Sequence, residues 1–286
     1  MPTRLATEAT QAAGRGGLGS EVRPEPAWRG GGAGTQLCVL TARSLRAVAL
    51  DPRLLLASSL GPVLILLVFS QIFAGIATTS AFPEGTRYID FLVPAIMVTT
   101  AIQSAVGTGN SLALEMRDGI IARFRSMPIW PGSVLVARSL ADLVRTGVQL
   151  AVMMVSAALL FGFRPAGGMV GACGALAVAV TVGGCMGWIF IALACWIRSV
   201  ELLQSVTGLV TFPLMFASNA FVPTDGLPRW LRAVAELNPV SYGIDAVRSL
   251  VLGQAAGLTV ASALGLSLVV GGLGGAAALR GFNRPI

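Results

Sequence analysis

The sequence predicts an all-α integral membrane protein with six transmembrane helices, and three observations carry that prediction. Of 286 residues, 55% are hydrophobic and 12% charged, about half the charged fraction of an ordinary soluble domain. Six stretches run roughly 20 apolar residues almost without charge, the length that crosses about 30 Å of hydrocarbon. Arginines gather on alternate connections between those stretches, as the positive-inside rule requires.

The spans fall at residues 54–76, 89–114, 134–161, 169–196, 202–222 and 258–279. Charges, prolines or glycines bound the first five, and the Ala/Gly-rich sixth runs uncharged until Arg280. With both termini inside, the inner flanks carry ten arginines (43, 46, 53, 117, 123, 125, 138, 198, 280 and 284) and the outer loops five (87, 164, 229, 232 and 248). The outer five are matched by Glu84, Asp90, Asp225, Glu236 and Asp245. The reading is a multi-pass protein of the cell's inner (plasma) membrane with both termini cytoplasmic. Its pI of about 10.5 reflects this topology and attraction to anionic lipid, with no nucleic acid required.

Residues 1–35 are Gly, Ala, Arg and Glu with no long apolar run, which predicts a disordered cytoplasmic tail. The six-span body then occupies 36–286. From Gln36 to Asp51, Leu37, Cys38, Leu40, Leu45, Val48 and Ala49 share one broad helical side with Arg43 and Arg46 opposite. That pattern suits a helix lying in the inner interface, or else a plain extension of the first span.

Several chemistries are excluded by residue type. The chain has neither histidine nor lysine, so a Walker A phosphate loop and a zinc-protease helix cannot be built. Cys38, Cys173, Cys185 and Cys195 are scattered singly and read as small buried thiols. No catalytic residue and no metal site is expected.

Three patterns point to function. If 118–127 forms a short helix, Ile120 and Phe124 stack one turn apart amid Arg117, Arg123 and Arg125, and Pro128 and Pro131 end it. Apolar anchors ringed by arginine suit a partner's groove with acidic walls, although an ordinary positive-inside loop also needs arginines. Just inside the third span, Arg138, Asp142 and Arg145 at spacings of four and three form a structural ion pair set on one face. Polar stripes mark the second span (Thr100, Ser104, Thr108, Ser111) and the fifth (Gln204, Thr211, Met215, Ser218, Asn219). Such stripes either line a pathway for a bulky, largely apolar solute or pack helices together, as the Gly183/Gly187 and Gly271/Gly275 pairs do. After the fifth span, 227–237 and 240–252 read as two short helices on the outer rim.

The segments RFRSMP (123–128), RSLADLVR (138–145), NAFVP (219–223) and LNPVSYGIDAVR (237–248) resemble the type-2 ABC export permeases, most nearly the daunorubicin-resistance branch, from about Gln36 to the C-terminus. The resemblance implies a six-span half-transporter with an N-terminal interfacial helix, a cytoplasmic coupling helix and external re-entrant helices before the last span. It implies a coupling surface of Asp118, Ile120, Ile121, Arg123, Phe124, Arg125, Met127 and Pro128 for a separate ABC ATPase subunit. ATP and Mg would be held by that subunit and no cofactor by this chain. It implies a second permease copy, identical or related, with the second and fifth spans of both forming the path. A secondary carrier or channel working without an ATPase is the alternative, and a biogenesis protein using the same loop is another.

Overall fold

The computed structural model describes residues 52–72, 87–118, 131–197, 199–220 and 229–282. These all fall in one compact unit, Gly32–Ile286. The interfacial helix expected at 36–51 and most of the loop helix expected at 118–127 lie outside the described residues.

In an apolar stretch, each backbone N–H and C=O must be satisfied within the segment itself, which favours helix. The described residues accordingly form eight helices: α1 Pro52–Ile72, α2 Tyr88–Arg117, α3 Pro131–Phe161, α4 Gly168–Trp196, α5 Val200–Phe216, α6 Arg229–Leu237, α7 Pro239–Val251 and α8 Gly257–Phe282. Among those residues there is no strand. Helix ends follow local chemistry. Ser199 caps α5, its hydroxyl accepting from the Leu202 N–H at 3.3 Å. Asn238 caps α7 by accepting from Val240 N–H at 3.0 Å, with Pro239 at the first helical position. Gly162, at φ 63° just past α3, adopts the left-handed turn that ends many helices.

α4 packs on α2 along one side and on α8 along another, and α7 lies against all three. A helix that is apolar all round belongs in an interior or a bilayer, and α2 is buried almost without break from Tyr88 to Ile102. Missing side chains allow these backbones to approach. A Cβ on Gly183 would stand 2.6 Å from the Ala101 Cβ, and one on Gly271 3.0 Å from the Cys185 Cβ. Gly187 lies opposite Ala105 and Gly275 opposite Trp188 at an ordinary 3.6 Å, so both glycine pairs make helix contacts of the small-residue kind.

A consequence is testable at Gly183. Alanine gains about 1 kcal/mol of helix propensity, but a carbon at 2.6 Å is far inside the ordinary contact of about 3.5–4.0 Å. Such overpacking costs about 1–3 kcal/mol, so the clash wins. Gly183→Ala is expected to lower the thermal midpoint of the purified protein, and an unchanged or raised midpoint contradicts the close α2–α4 contact.

Among the described residues, four helices are long and apolar enough to cross a membrane: Tyr88–Arg117, Leu135–Phe161, Gly168–Trp196 and Gly257–Phe282. Two further apolar helices, Ala57–Ile72 and Val200–Phe216, are shorter within the described residues. The fifth expected span differs most, since α5 stops at Phe216 rather than running toward 222. The reason is tertiary. The Asn238 side-chain amide donates to the carbonyls of Leu214 at 2.7 Å and Ala217 at 3.0 Å, taking acceptors that a continuing helix would have used. The two rim helices form as α6 and α7 within two residues of the expected starts.

Candidate functional site

α1, α2, α3 and α5 surround a cavity of about 450 Å³. Its wall takes Thr100, Gln103 and Ser104 from α2, Arg145 and Gln149 from α3 and Met215 from α5. Gln149 donates to the Ser58 carbonyl at 2.9 Å, fastening α3 to α1. Arg145 Nη2 donates to Ser104 Oγ at 3.2 Å, and Ser104 and Thr146 hydroxyls meet at 2.7 Å. Gln103 Nε2 donates weakly to Met215 Sδ at 3.2 Å. Beyond this contact lies a second cavity of about 260 Å³ between α2 and α5, lined in part by Thr207, Thr211 and Phe212. One polar-spotted groove thus runs between α2 and α5, divided by Gln103 and Met215.

The two polar stripes divide between this groove and other tasks. Thr100, Ser104, Thr211 and Met215 line it. Thr108 is buried, donates to the Ser104 carbonyl and faces a cavity of only about 20 Å³ beside α4. Ser111 instead receives Arg138 Nη2 at 2.6 Å. Gln204 is exposed and lines neither cavity. Ser218 and Asn219 are buried past the end of α5 against α7, where Asn219 Nδ2 donates to Asp245 at 2.5 Å. Sequence reading missed Gln103, Arg145 and Gln149 as lining residues. Helical spacing held the signal: Gln103 sits three residues after Thr100, and Gln149 four after Arg145.

The expected Arg138–Asp142–Arg145 set is split between two partners. Arg145 Nε lies 3.4 Å from Asp142 Oδ1, whereas Arg138 crosses to α2 and pairs with Glu115 and Ser111. Spacing along α3 cannot show that the neighbouring helix offers a carboxylate at the same level. Arg145 is also deeper than its expected place near the start of the span, being the fifteenth of 31 residues in α3.

Asp118 forms the C-cap of α2, its N–H bonding the Leu114 carbonyl. Ile120, Ile121, Arg123, Phe124, Arg125, Met127 and Pro128 lie outside the described residues. The helices flanking them are joined by the Arg138–Glu115 pair. An exposed pair, Arg117 with Glu201 at 3.7 Å, adds a weak tie to α5.

At the opposite end of α2, Arg87 forks onto Asp90 at 3.1 and 3.2 Å and reaches the Gly162 carbonyl at 3.0 Å. Nearby, Arg248 of α7 lies 3.6 Å from the Phe91 ring centre and bonds Asp245 and the Asn219 carbonyl, each at 3.1 Å. Burial pushes the Asp245 carboxyl above its ordinary value, opposed by the Arg248 charge and the Asn219 amide. Burial lowers Arg248 to about 10, still charged at neutral pH.

Among the described residues no three His, Cys, Asp or Glu side chains converge as a metal cage would require. Long apolar helices around a polar-spotted groove are the architecture of an α-helical membrane protein. The family model described as ABC-2 type transporter matches residues 35–252, and the chain belongs to that family. It is 35% identical over 214 residues to the daunorubicin resistance ABC transporter permease protein DrrB1 of Streptomyces coeruleorubidus, covering 74% of each chain. It is 28% identical over 224 residues to the probable doxorubicin resistance ABC transporter permease protein DrrC of Mycobacterium tuberculosis, covering 76% of this chain and 77% of that one. A putative transport permease of Pyropia yezoensis, ycf38, is 28% identical over 219 residues, covering 75% and 73%.

Proposed function

We propose that this chain is the transmembrane subunit of an ATP-driven exporter that moves a hydrophobic or amphipathic solute, a drug, antibiotic or lipid, out of the cell. Membership of the ABC-2 family across residues 35–252 is the observation that carries the reading. The names of two relatives, which specify daunorubicin and doxorubicin resistance, favour a solute of drug-like size. The groove between α2 and α5 supplies amphipathic but nearly uncharged walls suited to such a solute.

Energy comes from a separate ATPase subunit holding ATP and Mg, because a chain without lysine has no Walker A loop. The loop at 118–128 receives it as a coupling helix, with Asp118, Ile120, Ile121, Arg123, Phe124, Arg125, Met127 and Pro128 against the ATPase. α1 and α5 complete six spans in the plasma membrane with both termini cytoplasmic, residues 1–35 forming a tail and α6 and α7 an external rim. A second permease copy covers the exposed apolar face of α5, where Leu209 is 75% and Phe212 63% exposed. Closure of the ATPase pair then shifts the coupling helices and repopulates inward- and outward-open dimers.

Mild-detergent affinity purification from the native host tests this. A soluble ATPase in equal amount, with hydrolysis stimulated by solute after reconstitution, is expected. A permease that elutes alone, while ATPases are detectable elsewhere in the extract, transfers the weight to a carrier or channel.

A further inference from the structure

Arg145 is the one charged side chain among the described residues lining the 450 Å³ cavity. Its place in α3, about 21 Å along the axis from Pro131 at 1.5 Å per residue, is where an ionised group is costly in a bilayer. Such groups face cavities and mark substrate paths. The counter-charge does not share that cavity. Asp142 lies on the wall of the roughly 20 Å³ cavity beside α4, with Ser139 and Thr146. The two neighbours on one face of α3 thus line different cavities, the cation the large one and the anion the small one.

Arg145 also keeps donor capacity. Its Nε meets Asp142 at 3.4 Å without a hydrogen bond, and Nη2 donates to Ser104 at 3.2 Å. A guanidinium carries five N–H donors. Gln103 adds an amide whose partner among the described residues is the Met215 thioether, at 3.2 Å, a weak acceptor that an oxyanion readily replaces. Beside these donors, Ile65, Ile96 and Met215 offer apolar wall.

We propose that this cavity binds the anionic head, a carboxylate or phosphate, of an amphiphile whose tail lies along that apolar wall. The proposal rests on the export reading for its purpose, since it names the solute class, but its test requires neither ATPase nor turnover. The head exchanges the Gln103–Met215 contact for charge-assisted bonds to Arg145 and Gln103. Asp142 stays beside Arg145 on the wall of the smaller cavity and balances its charge.

The full chain is placed in phosphatidylcholine nanodiscs and titrated with a fluorescent alkyl phosphate and with the alcohol of the same chain length. The phosphate is expected to bind about tenfold more tightly. Arg145→Gln leaves Asp142 unpaired and is prone to misfolding, so the deciding variant is Arg145→Gln with Asp142→Asn, which removes both charges and keeps both side chains polar. In it the preference is expected to fall below about twofold, while Arg145→Lys retains part of it. Equal affinity of phosphate and alcohol in the unaltered chain overturns the proposal, as does a preference that survives in the double variant. Repeating the titration with phosphatidylglycerol in the discs separates the sources. Competition assigns the head to a membrane phospholipid, its absence to a distinct amphiphile, and both outcomes uphold the anion site.

Discussion

Phe124→Asp is expected to abolish solute-stimulated ATP turnover in the permease–ATPase complex while insertion and assembly of the helices persist. Phe124 falls in an arginine-rich stretch of sequence, and on the proposed coupling helix it would share a face with Ile120, four residues back. Removing an aromatic anchor from an interface costs about 2 kcal/mol or more. Placing a carboxylate in the same desolvated groove adds a further penalty of a few kcal/mol. Together these exceed about 4 kcal/mol, a loss of about a thousandfold in affinity. Turnover is read with and without solute in proteoliposomes, beside a detergent elution profile for fold. Unchanged export by the variant removes the coupling assignment for 118–128.

The second large effect is expected at Arg138 and Glu115, the cross-helix pair joining the flanks of that loop. The two side chains are 20% and 40% exposed, between the surface and buried limits. A surface pair contributes under about 1 kcal/mol, whereas breaking a buried one costs about 3–5 kcal/mol. The Ser111 bond to the same guanidinium fixes its geometry and places the expected coupling between them, at about 1–3 kcal/mol. A double-mutant cycle of Glu115→Ala and Arg138→Leu, read as thermal stability in detergent, measures it. Additivity within about 0.5 kcal/mol shows that the pair holds nothing. Since α2 and α3 bracket the loop proposed to couple to the ATPase, Glu115→Ala is also expected to weaken stimulation of ATP turnover.

How legible the molecule is from its sequence depends on whether a feature is local. The second, third, fourth and sixth spans begin and end within about three residues of the observed helices, because uniform apolar runs meet charges, proline or glycine at both ends. α5 is misjudged because its end is imposed by Asn238, and an Asn-Pro pair reads only as a stop. Its capture of two carbonyls from another helix has no local signature. The same division holds in the groove. Thr100 and Ser104 show on a helical wheel, and so does the Asp142–Arg145 contact. The transfer of Arg138 to Glu115 depends on the register between α2 and α3, which no periodicity within one helix encodes. Thr108 and Ser111 share the stripe's spacing, yet their hydroxyls are taken up by the Ser104 carbonyl and by Arg138.

α5 resembles a beam clamped at both supports. At its start Val200 and Leu203 are buried in an apolar cluster with Leu112, Leu135 and Ile191. At its finish Asn238 holds the carbonyls of Leu214 and Ala217, and Arg248 holds that of Asn219. Between those supports Gly208 has open space where a Cβ would stand, and the soft Gln103–Met215 contact spans the groove. A beam so held cannot slide along its axis without breaking buried bonds at one end. It can bow sideways at mid-length, so the width of the groove follows how far its middle flexes, and stiffening that middle would fix the groove while both supports stayed intact.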